Sequence, residues 1–392
     1  MKKYSMFCSA LMAIYYIIQV SVPGYTIYFL SEKGFTASEI GILLAVFGIV
    51  AVFLQPLLGD MADKNYNIDL KKILTCIGII VEALFIGLYY FDNNKYIIGL
   101  LFGIIFVFVN IMLPFVNASC FYYTNRGINV NFGIARGFGS FSYAIISYVL
   151  GYFIKAFGAE TVLINGIISA ILFFIVIVLM PRVKNAYVQI INSEYNDSDR
   201  HNGGNNNLIK KYPSFFLIVI ATACAMTFHN ADCGYLIQII EGLGGDSSHL
   251  GIANAIAAIV EIPTMFLIAK IVKKIKAKKL IVIACAFYIL RGFVFYIQSM
   301  EAVYVAQVLQ IFSFAVLIPS TVYLADEMMF AEDKIKGQMF IGMAITIGLI
   351  FGSFLGGQLI SIGGTKLLEI GCIIIAIISF IFALIGNVVN ST

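Results

Sequence analysis

Residues 54–74 read LQPLLGDMADKNYNIDLKKIL, a polar stretch set between two apolar runs. Upstream, residues 38–53 hold one charged side chain, Glu39, and downstream residues 73–91 hold one, Glu82. A helix of about 20 apolar residues crosses a bilayer. A stretch carrying Asp60, Asp63, Lys64, Asp69, Lys71 and Lys72 belongs in water. The segment therefore reads as a short link between two membrane helices that run in opposite directions.

The same alternation covers the chain. Of 392 residues, 61% are hydrophobic and 12% charged, where a soluble domain carries about 25% charge. Turn and charge signals divide it into twelve spans, near 4–30, 38–62, 71–91, 96–122, 132–155, 161–181, 212–240, 248–272, 280–298, 302–325, 337–361 and 366–388. The expected fold is an all-α membrane protein of twelve transmembrane helices in two six-helix bundles. The N-terminus has the basic start of a signal peptide, but its apolar run exceeds an h-region of roughly 7–15 residues and no small-x-small cleavage site follows. It reads as a retained first span.

Lys and Arg set the orientation, because they gather on the cytoplasmic side. With the N-terminus inside, 19 of the 25 fall there, including the run KIVKKIKAKK (270–279). Four face outward (Lys33, Lys95, Lys155 and Lys366), and Arg136 and Arg291 lie within spans. Both termini are thus expected in the cytoplasm. The longest polar stretch, 182–211, contains NSEYNDSDRHNGGNNN and reads as a flexible cytoplasmic linker. It separates bundle 1–181 from bundle 212–392, the arrangement of transporters built from two halves. Residues 263–281 echo the opening stretch at the same place in the second half, as a short basic loop without the glycine and aspartate.

No Cys pair makes a CxxC, and three His are too few for a Cys/His metal cluster. The seven cysteines read as small apolar residues. HExxH, GxSxG and paired-Asp motifs are absent, so no enzyme and no cofactor are expected. The net charge of +4 follows membrane sides and gives no sign of nucleic-acid binding.

Ionisable side chains within spans are costly and face a cavity or a partner. They are Glu82, Arg136, His229, Asp232, Glu261 and Arg291, with uncharged Gln19, Asn110, Asn117, Asn254, Gln307 and Gln310. Glu261 lies mid-span. A carboxylate there binds a proton or pairs with a cation, because burial favours the neutral acid and a nearby Arg the ion. The alternative is a neutral Glu bonding two helices. Arg291 cannot shed its proton and needs an acid, with Asp232 and Glu261 available in its half. Asp232 and His229 are three apart on one helical face, suited to titration or to plain hydrogen bonding. Arg136, one turn inside the fifth span, either snorkels to the surface or faces a cavity.

Taken together, these segments resemble the major facilitator superfamily, in the branch of lactose permease, the nucleoside–proton symporters and the phenylpropionate-type permeases. Residues 25–64 resemble its first two spans and loop, with Gly59, Asp63 and Lys64 in its G-x-x-x-D-[RK] pattern. NFGIARGFGSFSYAI (131–145) resembles its fifth span. VEIPTMFL (260–267) and ILRGF (289–293) resemble its eighth-span acid and ninth-span arginine, and QVLQIFSFAVLIPS (307–320) its tenth span. The resemblance implies that Arg136 hydrogen-bonds substrate and that Tyr143 stacks on a substrate ring. Arg136 and Tyr143 are seven residues apart, close to two helical turns. It also implies that Gln310 and Gln307 replace ionisable tenth-span residues, and that Asn117 stands near a missing fourth-span acid. Lactose specificity is therefore not expected. Substrate binding is expected at Arg136, Tyr143, Asn117, Gln310, Gln307 and His229, and proton coupling at Glu261, Arg291 and Asp232.

The expected function is secondary active transport by alternating access: proton symport of a small polar or weakly acidic organic solute, such as a sugar, nucleoside or aromatic acid. Proton-driven efflux, or a non-transporting membrane sensor, is the alternative. The partners expected are the solute, protons and the bilayer, with the chain acting as a monomer. A bias towards Ile, Asn and Lys points to an AT-rich bacterial gene and the cell inner membrane.

Overall fold

The computed structural model describes residues 2–64, 70–91, 94–124, 127–128, 130–181, 208–330 and 333–389. Helices run through them: α1 (Lys2–Gln19), α2 (Thr26–Glu32), α3 (Ala37–Lys64), α4 (Leu70–Tyr90), α5 (Lys95–Thr124), α6 (Phe132–Phe157) and α7 (Glu160–Val178) in the first half. The second half has α8 (Leu208–Lys211), α9 (Pro213–Gly234), α10 (Leu236–Gly242), α11 (Ser247–Ile271), α12 (Ala277–Tyr296), α13 (Met300–Val308), α14 (Phe314–Met328) and α15 (Lys334–Val388). Ten helical stretches among the described residues are long and apolar enough to cross a membrane. The last of these, Lys336–Val388, is interrupted at Gly363 and Gly364. Gly364 takes a φ of 69°, a left-handed conformation that glycine adopts without steric cost. The interruption falls in the gap expected between 361 and 366. Helix α11 adds 25 residues, with Glu261 in its interior.

Three expected spans are broken rather than continuous. The first breaks at Val20–Gly24, where Pro23 removes a backbone donor and Val22 leaves helical geometry. The seventh breaks between Gly234 and Leu236. The tenth breaks after a 3-10 turn at Leu309–Ile311, and Ser313 is non-helical (φ −98°, ψ −90°). The expected linker lies outside the described residues over 182–207, and its last four residues form α8. The side chains of Gly59, Asp63 and Lys64 are also outside the described set.

Local chemistry sets the entry of the helices that matter below. The Asn131 side chain accepts from the Ile134 N–H to start α6. Asp246 caps α11 through the Ser248 N–H, and Ser299 caps α13 through the Ala302 N–H. These are orphan donors that an N-cap side chain satisfies.

The two halves meet at the end of the molecule away from the described chain ends. There α6 packs antiparallel on α11, and α3 on the first part of α15. A Cβ at Gly151 would lie 2.5 Å from the Ser247 carbonyl oxygen, and one at Gly251 would lie 2.6 Å from that of Ser147. Only glycine permits so close a helix approach. Ser247 Oγ donates to the Gly151 carbonyl at 3.0 Å, and Gln358 Nε2 donates to Ser38 Oγ at 2.6 Å. Lys155 pairs with Asp246 at 2.8 Å.

Candidate functional site

Below that seal, α6 and α11 face each other through Ala144, Ala255 and Ala258, with Tyr143 packed against them. Small residues bring the two backbones close at mid-depth and leave longer side chains to project further along. Those are Arg136, two turns before Tyr143, and Glu261, one turn past Ala258.

Arg136 is half-buried and turns its guanidinium onto α1. Its guanidinium carbon lies 4.3 Å from the centre of the Tyr16 ring of α1, a cation–π contact. Its Nη1 is buried without a hydrogen-bond partner among the described residues. Gly139 makes the stack possible, because a Cβ there would stand 2.6 Å from Tyr16 Cδ2. The neighbouring Tyr15 donates to the Val109 carbonyl at 3.1 Å and accepts from Gln19. The Tyr143 hydroxyl reaches the turn between α1 and α2, lying 2.8 Å from where a Cβ of Gly24 would be.

Glu261 is 9% exposed. Its Oε1 accepts from Gln310 Nε2 at 2.7 Å, a neutral donor that leaves the charge unpaired. Arg136, from the other half, and Arg291 are the cations within electrostatic range of it. The structure thus brings Arg136, Tyr143, Glu261 and Gln310 near one another where the two halves face each other. Gln307 is buried, and among the described residues neither its Oε1 nor Asn117 Oδ1 on α5 has a hydrogen-bond partner.

Arg291, fully buried, pairs with Asp232 rather than Glu261: Nη2 to Oδ2 is 3.5 Å. Its Nη1 donates to Ser313 Oγ at 3.3 Å, and the break before α14 sets that hydroxyl in reach. The rings of Phe228, Tyr288 and Phe295 surround it at 5.7–5.9 Å. His229 parts from Asp232 despite their spacing. Its ring stacks on Phe314 at 4.1 Å, and its Nδ1 lies 3.7 Å from Cys233 Sγ.

Two residues of weight are not among the sequence candidates. Tyr16 gives no signal, since its role depends on a helix more than a hundred residues away. Glu369 is fully buried, with neither carboxylate oxygen hydrogen-bonded among the described residues. The sequence does carry a signal for it, an acid inside the span expected at 366–388, hidden by the neighbouring Lys366 that makes it look like a polar flank. Among the described residues no group of three His, Cys, Asp or Glu could hold a metal ion.

The comparisons agree with this architecture. The family model described as "MFS_1 like family" matches residues 6–368. A curated relative, "Uncharacterized transporter YwbF" of Bacillus subtilis (strain 168), is 23% identical over 254 residues, 62% of this chain and 58% of that protein. The match therefore spans little more than half of the relative's length. The crystal structure of nucleoside transporter NupG superposes with a TM-score of 0.77 at 17% identity, covering 98% of both chains. That of the POT family transporter PepTSo does so at 0.71 and 12%, covering 98% of this chain and 97% of the other. Identities this low speak for the fold alone. Matched over nearly its whole length, the chain belongs to the MFS_1 like family, and it is a multi-pass membrane protein with the fold of these solved transporters.

Proposed function

We propose that this transporter is a proton-coupled symporter of a small polar or weakly acidic organic solute, a nucleoside, sugar or aromatic acid. The observation that carries the reading is the pair formed by Arg136 and Glu261. They are opposite charges from the two halves, in electrostatic range, and neither is neutralised by a hydrogen-bonded ion pair. Arg136 Nη1 is a buried donor with no partner among the described residues, and a solute hydroxyl or carboxylate supplies one. Tyr143 offers a ring to stack on.

In this reading Glu261 takes a proton when the solute occupies Arg136: the solute's oxygens satisfy the guanidinium donors, and the proton keeps the carboxylate from standing unpaired in a dry site. The two are released together when the opposite end opens. Alternating access uses twelve spans in two bundles, 1–181 and 212–392, with both termini in the cytoplasm of a bacterial cell and the chain in the inner membrane. The basic loops support that orientation. The driving force is the proton gradient rather than a bound cofactor, and the chain acts as a monomer. The nucleoside transporter named above supports the solute class only through a shared fold.

A thermal-shift screen tests the reading. Purified protein is offered nucleosides, sugars and aromatic acids at two pH values, since a bound solute stabilises by mass action. One class should raise the Tm of the wild type and leave Arg136→Ala unmoved. Equal stabilisation of both proteins would remove Arg136 from the site. Adding that solute to loaded vesicles then separates symport, which makes the outer medium alkaline, from efflux by antiport.

A further inference from the structure

The second half buries more acid than the transport reading above uses. Asp232, Glu369 and Arg291 are each fully buried. Glu369 lies in electrostatic range of both others. The packing supports the grouping: Gly292, next to Arg291, is so close to the last helical segment that a Cβ there would stand 2.8 Å from Ile373 Cγ1. Ile373 lies one turn beyond Glu369 on the same face. Two carboxylates therefore lie in electrostatic range of one guanidinium, and only Asp232 pairs with it.

Hydrogen bonding is as lopsided as charge. Asp232 Oδ2 faces Arg291 Nη2, while Asp232 Oδ1 and both Glu369 oxygens have no partner among the described residues. An ionised carboxylate buried without a partner is strongly unfavourable, and the group takes up a proton instead. The charged groups in range of Glu369 are Asp232 from α9 and Arg291 from α12, and the titratable Cys372 follows one turn on along its own helix.

We propose that Glu369 is a second proton-binding site, one that carries a proton beside the Asp232–Arg291 pair. With the proton on, Asp232 and Arg291 form a neutral pair. With it off, Arg291 is shared between two acids, and the packing of α9, α12 and the last helical segment changes with it. The site lies three residues from Tyr235 and five from the break at Gly364, directly beneath the closed end. Opening that end gives Glu369 access to protons from that side, and closing it keeps the proton from leaking back. Arg291 links this site to the central one, because it is also in range of Glu261. The idea rests on the proton-coupled reading for its purpose but not for its test.

Infrared spectroscopy of the full chain in lipid reads the proton directly. In a Glu261→Gln background, which removes the central acid, neutral buffer should still show the carbonyl band of a buried protonated acid. The band should shift on 13C-glutamate labelling. Glu369→Gln should abolish it, and Glu369→Asp, which keeps a carboxyl at the position, should move its frequency. The proposal is overturned by a band that survives Glu369→Gln, by no such band from acidic to alkaline buffer, or by a band lost when sodium replaces choline, which would mark a sodium site. No solute is present, so failure of pH-driven uptake with the band intact counts against proton symport and leaves Glu369 standing.

Discussion

Tyr25 and Tyr235 do the same work in the two halves. Tyr25 Oη, at the break between α1 and α2, donates to the Ser147 carbonyl at 2.9 Å, with that of Ser247 at 3.5 Å. Tyr235 Oη, at the break between α9 and α10, donates to the Ser353 carbonyl at 2.8 Å, with that of Ala37 at 3.3 Å. Each hydroxyl ties one carbonyl from each half, so the pair forms a two-fold clasp on the closed end. Removing one buried hydroxyl costs about 0.5–1.5 kcal/mol, up to a roughly tenfold shift between closed and open forms. Spin labels at exposed Phe157 and Glu301, in opposite halves at that end, should report a larger far-apart population in Tyr25→Phe and Tyr235→Phe. An unchanged distance distribution would show that the clasp is passive.

Lys155 and Asp246 close the same end by charge, and their pH dependence has a definite sign. Burial alone pushes the Asp246 carboxyl up, but hydrogen bonds from Lys155, Ser248 and His249 outweigh it and hold the carboxyl well below the usual carboxylate range. A lowered folded-state value means that the stabilisation is complete above the ordinary Asp value near 3.9 and is lost as pH falls through the folded one. Both partners are more than a third exposed, so solvent screens the bond and its contribution is small. Asp246→Asn keeps the helix cap and removes only the charge. Its effect on the spin-label distances should be equal at pH 7 and pH 5. A difference that vanishes at pH 5 would mean that Asp246 already titrates there.

The sequence makes the apolar spans and their loops legible, because twenty-residue hydropathy is a local property. The breaks are only partly legible. Pro23 and Gly24 announce the first, whereas nothing local marks the turn at Ser313, which follows from packing beside Arg291. In the site, the sequence narrows the Arg291 partner to two acids, and only the fold chooses Asp232, since Gln310 on the far side takes Glu261. The environment of Arg136 is legible least. Its helix has glycines at 137 and 139 as any tightly packed membrane helix does, and the ring that needs Gly139 comes from α1.

Gly139 accordingly has a specific test. Gly139→Ala puts a methyl into the Tyr16 ring and should unseat the Arg136 stack. A cation–π contact of about 0.5–2 kcal/mol corresponds to a roughly 2- to 30-fold weaker Kd. Tyr16→Leu should weaken solute binding to the same degree, and Tyr16→Phe should retain it. Binding is read by Tm shift against solute concentration. Full affinity in Tyr16→Leu would show that the stack does not orient Arg136 for substrate.

Asp232 and Arg291 form a fully buried ion pair, and breaking such a pair from one side costs about 3–5 kcal/mol. Arg291→Gln should lower the Tm more than any surface change, because it leaves Asp232 and Glu369 without a cation. The double variant Arg291→Gln with Asp232→Asn should recover part of the loss, as removing both charges removes the burial penalty. A double variant less stable than either single one would show that the two side chains act independently.

Glu261 is the group on which coupling depends. The direct measurement is solute uptake into proteoliposomes under an inward proton gradient, with exchange of labelled for unlabelled solute followed in parallel. Wild type should accumulate solute above the external concentration. Glu261→Gln should exchange at a comparable rate and accumulate nothing. Uphill uptake by Glu261→Gln equal to wild type would contradict a coupling role for Glu261.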